Sequence, residues 1–378
     1  MNKKGRVCNG MRWRGIILRM AVGIFAGMLL WGCTPALEEQ LKPFQVSYFR
    51  NKLMDVAFAD VRHGWTSGDQ GLILFTDDGG KHWARQNSGT QHTLRAISFI
   101  DAERGWMVGG AGTIIRTEDG GQTWKRLDSG TKDDLMCVKF LDEKRGFAAG
   151  AFSLFLRTED GGQTWIDMTD QFSEEEAFML DTSGMSMEEK MAALKEEFAA
   201  EGGEEEGESV IPLNPMINEI FFINPLKGWV VGEAGSIWTT DDGGLQWVKQ
   251  QSGQLEDLFG VFFKDAEEGW VTGLNGTLLY TDNGGSTWRQ QVSTVKQSLF
   301  GIAVSGDRGY AVGNAATMIE TKDGGKTWKE FVPPSIRNFS WIRGLVVIKD
   351  VEDTYVAVGG LGTIMISRDS GISWEKIS

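Results

Sequence analysis

The chain has 378 residues, 41% of them hydrophobic, with 50 Gly, 7 Pro and a formal net charge of −14 at pH 7. The apolar fraction provides for a large core and excludes a disordered chain, and the acidic balance excludes the basic footprint of a nucleic-acid binder. Abundant glycine with scarce proline suits many tight turns between short strands, and the length calls for two or three ordinary domains unless repeats lift the usual size limit.

Residues 1–32 read as a leader. Lys3, Lys4, Arg6, Arg12, Arg14 and Arg19 form a basic region without an acidic residue, and "MAVGIFAGMLLW" from Met20 to Trp31 follows it. Twelve apolar residues fall short of the ~20 that cross a membrane and match a signal-peptide core. The run closes in "LWGC", Leu30 to Cys33, which resembles the lipobox of bacterial lipoproteins. That resemblance implies cleavage before Cys33, lipidation of Cys33, a linker over 33–52, and an extracytoplasmic protein held to a bacterial membrane, with the outer membrane favoured. A plain uncleaved anchor or an ordinary secretory signal also places the remainder outside the cytoplasm. Removing the six leader cations takes the net charge from −14 to −20. It also removes Cys8, leaving Cys33 and Cys137, so no internal disulfide framework is available. Cys137, in an apolar strand, reads as a small buried hydrophobe.

From residue 53 onward a repeat governs the chain. Related octapeptides occur at Thr76–Trp83, Thr117–Trp124, Thr158–Trp165, Thr240–Trp247, Thr281–Trp288, Thr321–Trp328 and Ser367–Trp374. Their closing tryptophans lie 41, 41, 82, 41, 40 and 46 positions apart, a period that signals a propeller or solenoid. Each unit carries a second landmark upstream, as in "RGWMVGGAGTIIRT" around Trp106, "KGWVVGEAGSIWTT" around Trp229 and "EGWVTGLNGTLLYT" around Trp270. Phe147, Tyr310 and Tyr355 replace that tryptophan in three copies. The second copy divides into four short strands, "LRAISFI", "WMVGG", "TIIRT" and "TWKRL", separated by Gly-rich turns. A single four-stranded sheet buries neither face, whereas blades stacked radially bury both. The expectation is an all-β, seven-bladed propeller over 53–378.

The octapeptide itself resembles the Asp-box repeat of bacterial sialidases and other propellers. It falls at the hairpin between the third and fourth strands of each unit. There an Asp can accept backbone N–H bonds across the turn, Gly supplies positive φ, and Trp anchors the hairpin. Asp78, Asp119, Asp160, Asp242, Asn283, Asp323 and Asp369, with Trp83, Trp124, Trp165, Trp247, Trp288, Trp328 and Trp374, are therefore read as structural. The change to Asn283 and the missing glycine before Gly371 fit scaffolding better than a charged site.

The doubled spacing before Trp247 marks an insertion over 170–215 between blades 3 and 4. It holds 14 acidic residues against Lys190 and Lys195, a net of −12. Ser186 and Glu189 stand at capping-box spacing, and Met187, Met191, Leu194 and Phe198 fall on one helical stripe. This predicts a short amphipathic helix followed by the tract "EGGEEEGE", suited either to docking a partner or to plain solvation. Weak calcium binding by its carboxylates is a further option, although the spacing matches no EF-hand loop. No cofactor or metal site is expected, since His63, His82 and His92 are scattered through loops of the first two blades.

Aligning the inner strands puts Met54, Arg95, Met136, Asn218, Phe259, Phe300 and Arg343 at one equivalent position. Asp55, Ala96, Cys137, Glu219, Gly260, Gly301 and Gly344 occupy the next. These residues are expected at the channel mouth opposite the Asp-boxes. Met54, Asp55, Arg95, Met136, Asn218, Glu219, Phe259, Phe300 and Arg343 make a mixed surface suited to a peptide or protein segment, or they simply fill the channel.

Seven Asp-box blades of nearly uniform length, the "GW-x-VG-x-x-G" pattern before the boxes and the lipobox together resemble the photosystem II assembly/stability factor family. The resemblance covers roughly Leu53 to Ser378 without the insertion. It implies a non-enzymatic scaffold that holds membrane-protein segments during assembly, and in photosynthetic members an arginine cluster is implicated in binding. Of the arginines here, Arg95 and Arg343 face the expected mouth. The acidic insertion departs from the family pattern, so the expected partner is a membrane or envelope protein, bound by a monomer.

The competing class is an Asp-box glycoside hydrolase or glycan-binding protein. A sialidase needs an arginine triad, a Tyr–Glu pair and an acid/base carboxylate. The chain has four tyrosines: Tyr310 and Tyr355 occupy the structural aromatic slot, Tyr280 directly precedes an Asp-box threonine, and Tyr48 precedes the repeats. An Arg-Ile-Pro motif is absent, the nearest string being "PPSIRNF". A carboxylate-only inverting enzyme using Asp55 and Glu219 across one channel remains open on these residues. The expectation is a non-enzyme.

Overall fold

The computed structural model describes residues 51–172, 214–332, 340–348 and 353–377. The expected leader over 1–32, Cys33 with the linker up to residue 50, and the helix of the insertion lie outside the described residues.

Seven four-stranded antiparallel sheets follow one another along the chain, each built from four consecutive strands in sequence order. The innermost strands are Leu53–Phe58, Leu94–Phe99, Leu135–Phe140, Ile217–Phe222, Leu258–Phe263, Leu299–Ser305 and Ile342–Ile348. Each packs against the inner strand of the next blade, and the last packs against the first. The result is the seven-bladed propeller that the repeat predicts. The final blade is completed by its own chain segment, Glu375–Ile377. Closure instead uses Gly362 N–H donating to Asn51 O at 2.7 Å and Arg368 Nη2 donating to Gly79 O at 3.1 Å.

The core lies between blades, and the "GW" landmark builds it. Gly105 opens the second strand of blade 2, and a Cβ there would meet the ring of Phe99 at 2.4 Å. Glycine thus lets Phe99 lie flat on its own sheet. Trp65 of blade 1 then stacks on Phe99 at 3.7 Å between centroids, and Trp124 meets its edge at 6.1 Å. The same sandwich joins Trp106 to Phe140 at 3.6 Å and Trp229 to Phe263 at 3.4 Å. Stacked and edge-on aromatic pairs each contribute ~0.5–1.5 kcal/mol beyond their buried area.

The Asp-box closes on itself. In blade 1, Thr76 Oγ1 donates to Asp78 Oδ1 at 2.9 Å, while Gly80 N–H donates to Thr76 Oγ1 at 2.8 Å. The backbone N–H groups of Lys81 and His82 donate to the same Asp78 oxygen. In blade 6, hydrogen bonds from the Thr327 hydroxyl and backbone N–H outweigh burial and hold Asp323 down to about 2. Asn283 Oδ1 preserves the arrangement in blade 5, accepting from Thr281 Oγ1 and Thr287 N–H. These carboxylates are consumed by their own hairpins.

Blade 3 departs from the pattern where the insertion leaves it. Its outer strand, Ile166–Asp167, is followed by a 3-10 turn over Thr169–Gln171. Phe172 then buries against Phe155 at 4.2 Å and Trp238 at 5.1 Å. Gln171 accepts from Trp247 N–H and donates to Leu245 O, tying blade 3 to the next Asp-box. On return, Pro215 O accepts from both Ser153 N–H and Ser153 Oγ.

Candidate functional site

The two faces of the ring separate by their hydrogen bonds. Asp-box turns bond to the turns between first and second strands, as in Gly79 N–H to Arg62 O and Gly120 N–H to Glu103 O. On the other face, turns between second and third strands bond to the connections entering each inner strand, as in Asp69 N–H to Lys52 O and Gly235 N–H to Glu256 O. The mouth residues begin the inner strands and therefore belong to this second face.

A feature hidden in the sequence unites them. In all seven blades the pairing of first and second strands slips at one place, between Leu53 and Asp55, Leu94 and Ala96, Leu135 and Cys137, Ile217 and Glu219, Leu258 and Gly260, Leu299 and Gly301, and Ile342 and Gly344. The skipped residues are Met54, Arg95, Met136, Asn218, Phe259, Phe300 and Arg343. Each is the extra residue of a β-bulge, freed from strict alternation and re-aimed. Six of the seven are partly exposed. Asn218 is a correction: it is 5% exposed, and its Nδ2 donates to Leu258 O at 2.8 Å. Its amide ties blade 4 to blade 5, so it does not open onto the mouth.

The remaining bulge residues divide into two arcs. Phe259 and Phe300 meet edge to face at 5.4 Å, and the Arg343 guanidinium lies over Phe300 at 5.9 Å. Arg95 is committed elsewhere, its Nη2 lying 2.9 Å from Asp134 Oδ2. Asp134 is in turn fixed by Ala111 N–H. Arg343 carries no such carboxylate contact among the described residues. The two arginines, alike in sequence, are therefore unlike in availability.

One position deeper, side chains are replaced by close backbone contact on part of the ring. A Cβ on Gly260 would meet Phe300 O at 2.7 Å, and one on Gly301 would meet Arg343 O at 2.7 Å. Side chains therefore crowd only the other blades, with Asp55, Ala96, Cys137 and Glu219. Asp55 Oδ1 accepts from Val56 N–H at 2.7 Å and its Oδ2 from Ile97 N–H of the next blade at 3.1 Å. Glu219 accepts from its own neighbour Ile220 N–H at 3.1 Å.

Lys139 joins this layer and was missed in the sequence reading. It sits two residues beyond Cys137 on the same inner strand, the one cation of "LMCVKF". Its signal was a charge in a strand otherwise apolar. Asp55, Lys139, Glu219 and Arg343 belong to blades 1, 3, 4 and 7, and each of the two cations feels the charges of both carboxylates. All four keep some exposure to the lumen while protein surrounds them. Burial raises Asp55 to about 6, against opposing hydrogen bonds from Val56 and Ile97. Burial, and then the Asp55 charge, raises Glu219 to about 8. Burial lowers Lys139 and Arg343, with both carboxylates opposing. The Cys137 thiol, fully buried, is pushed well up by burial and is no nucleophile.

The family model described as "Photosynthesis system II assembly factor YCF48" matches residues 37–134, 205–297 and 255–338, more than half of the chain. The fold is similar to a structure described as YCF48 bound to D1 peptide, with TM-score 0.63 and 18% identity over 87% of this chain and 97% of that one. It is similar to YCF48 from Cyanidioschyzon merolae, with TM-score 0.62 and 18% identity over 87% and 98%. A GH74 xyloglucanase from Xanthomonas campestris matches with TM-score 0.61 and 14% identity over 88% of this chain and 54% of that one. No curated protein sequence matches the chain.

Proposed function

The chain belongs to the photosystem II assembly factor YCF48 family, and from that premise we propose that it is a non-enzymatic assembly scaffold that holds a segment of a membrane or envelope protein at the bulge-lined mouth. The observation that carries this reading is the mouth itself. Five of the seven bulges present Met54, Met136, Phe259 and Phe300 with Arg343, which is free of ion pairs among the described residues, an apolar and cationic arc on an otherwise acidic protein. Partly exposed aromatics beside an arginine are the composition of an interface core. The YCF48 structure is described as bound to a D1 peptide, which supports a peptide segment as the class of ligand here. We further propose that Cys33 carries a lipid anchor and that the propeller works outside the cytoplasm, as the leader suggests.

A glycoside hydrolase would have to use Asp55 and Glu219. Asp55 is already engaged by two backbone N–H groups, and the channel holds two cations beside the pair, which weakens that alternative. The test is affinity capture of the lipidated protein from its own membranes, beside Arg95→Glu/Arg343→Glu. A stoichiometric membrane partner lost in the variant supports the scaffold. Capture of nothing by either protein, with turnover of a glycan substrate that Glu219→Gln abolishes, overturns it.

A further inference from the structure

The mouth-side face is not uniform round the ring. Where the chain leaves the outer strand, blades 1 to 4 carry Asn87, Asp128, Thr169 and Gln251, whereas blades 5 and 6 carry Val292 and Val332 at the same place in the repeat. Both valines are exposed, at 79% and 72%. Gln291 N–H donates to Leu278 O at 2.8 Å and Phe331 N–H to Met318 O at 2.9 Å. Each valine therefore follows a residue paired with the start of the third strand, at the mouth-side end of its blade. Leu361 continues the series on blade 7. It tips the turn between second and third strands, 46% exposed and at φ +57, a backbone region that disfavours a bulky side chain. None of the three joins the core between blades.

Charge divides the same face. The turns Leu274–Gly276, Asn314–Ala316 and Gly360–Gly362, with the connections over 291–298, 331–332, 340–341 and 51–52, hold no Asp or Glu among the described residues. Their charges are Lys52 and Lys296, both exposed and free of ion pairs among the described residues. The corresponding turns and connections from blade 2 to the entry of blade 5 hold Asp128, Asp133, Asp134, Glu233, Glu256 and Asp257 against Lys132. Phe152 and Leu255 are exposed too, but on that acidic side. Asp69 closes the sector at blade 1, its Oδ1 accepting from Lys52 N–H at 2.9 Å. On the Asp-box face, exposed Leu226 adjoins Lys227, which pairs with Asp241 at 2.8 Å, so apolar and charged groups are mixed there.

We propose that this sector, the mouth-side edge of blades 5 to 7 with the entry to blade 1, lies against the anionic surface of a lipid bilayer. Val292, Val332 and Leu361 enter the headgroup region, and Lys52 and Lys296 meet lipid phosphates. Apolar tips flanked by lysines are the composition of an interfacial membrane contact, and each lysine near an anionic surface adds attraction. A net charge of −14 repels such a surface, so approach is least opposed through the sector that lacks acidic groups. The chain also enters the propeller there: Asn51 O accepts from Gly362 N–H at 2.7 Å, and Asn51 follows Cys33 by 18 residues. The tether through Cys33 rests on the anchor reading above, and the composition of the sector does not. With this face down, the mouth opens towards the bilayer from which a membrane-protein segment emerges.

The test uses full-length protein purified from its own membranes and reconstituted in phosphatidylcholine vesicles with or without phosphatidylglycerol. An environment-sensitive thiol dye is attached through Val292→Cys or Val332→Cys, and through Leu245→Cys on the Asp-box face as a control. Buried Cys137 stays unlabelled, and the unsubstituted protein, carried through the same labelling, reports any dye on Cys33. Spin-labelled lipid is the quencher. The two mouth-side dyes are expected to shift blue and lose intensity to the quencher in vesicles containing phosphatidylglycerol, and the Leu245→Cys dye to do neither. Lys52→Glu/Lys296→Glu should abolish that quenching, and high salt should weaken it.

Mass spectrometry of the same samples reads the lipid on Cys33 separately. Lipidated protein whose mouth-side dyes stay unquenched overturns the membrane contact and leaves the anchor. Quenching on vesicles by protein that carries no lipid keeps the contact and removes the anchor. Equal quenching at all three positions, or quenching that ignores both phosphatidylglycerol and the lysine variant, overturns the contact. A blue shift that needs added native membrane protein assigns the sector to a protein partner and overturns it as well.

Discussion

The indole Nε1 of Trp106 donates to the carbonyl of Gly161, 55 residues further along the chain, at 2.9 Å. Trp65, Trp229 and Trp270 make the same bond to Gly120, Gly284 and Gly325 of the following Asp-box. The second-strand tryptophan of one blade is thus a clasp on the hairpin of the next. Trp106→Phe should keep the stack on Phe140 but leave the Gly161 carbonyl without this donor, a cost of ~1–3 kcal/mol. Phe147 already has a ring without a donor at this position, so Phe147→Leu should lose packing alone. Chemical denaturation of both variants checks the difference.

The Asp-boxes predict an acid limit to stability. Asp323 is held down to about 2 by Thr327 and Thr321, below its ordinary value of 3.8. A depressed carboxylate contributes stability that is present above the unfolded value and is lost as pH falls through the folded one. Melting temperatures should therefore drop between about pH 4 and pH 2, and Asp323→Asn should flatten part of that fall. Asn283 shows that the amide can take the carboxylate's place. An equal acid slope in wild type and Asp323→Asn would contradict the assignment.

Glu219 predicts the opposite slope. Its value rises from 4.5 to about 8 in the folded protein, so between these values the folded state holds more proton than the unfolded state. Stability contributed by this group is full below about pH 4.5 and declines as pH rises towards 8. Glu219→Gln should melt higher than wild type at pH 8.5 and close to it at pH 4. Asp55 adds a similar decline over the lower range between 3.8 and about 6. Melting curves across pH 4 to 9 test both.

The two mouth arginines should differ on substitution. Arg343 is free of ion pairs among the described residues, whereas Arg95 is held by Asp134. Arg343→Ala is expected to weaken capture of the partner by about tenfold or more, as an interface hot spot does. Arg95→Ala should cost less, because the ion pair already competes for it. Equal losses from both variants would mean that Arg95 leaves Asp134 on binding.

How much of this was legible in the sequence depends on how local the cause is. The period of about 41, the glycine–aromatic landmark and the self-bonded Asp-box each act within one unit, so repetition displayed them along the chain. Ring closure at seven blades followed from counting. Each of these features depends on short-range geometry: a glycine beneath a Phe ring, or a carboxylate folded over its own turn.

The channel was a tertiary outcome. Alignment found the bulge residues as a column, but pairing register decided that all seven are bulges, and contact between blades decided that Asn218 is consumed at Leu258 O. Arg95 and Arg343 look equivalent until a residue 39 positions away claims the first. Lys139 stayed hidden because the carboxylates it feels lie on blades 1 and 4. Residues far apart along the chain share one lumen only after the ring closes. The sequence by itself determined the repeating unit and its turns, because their forces act over a few residues. Only the tertiary structure decided which charges meet, since electrostatic coupling across a channel depends on distances that no single repeat contains.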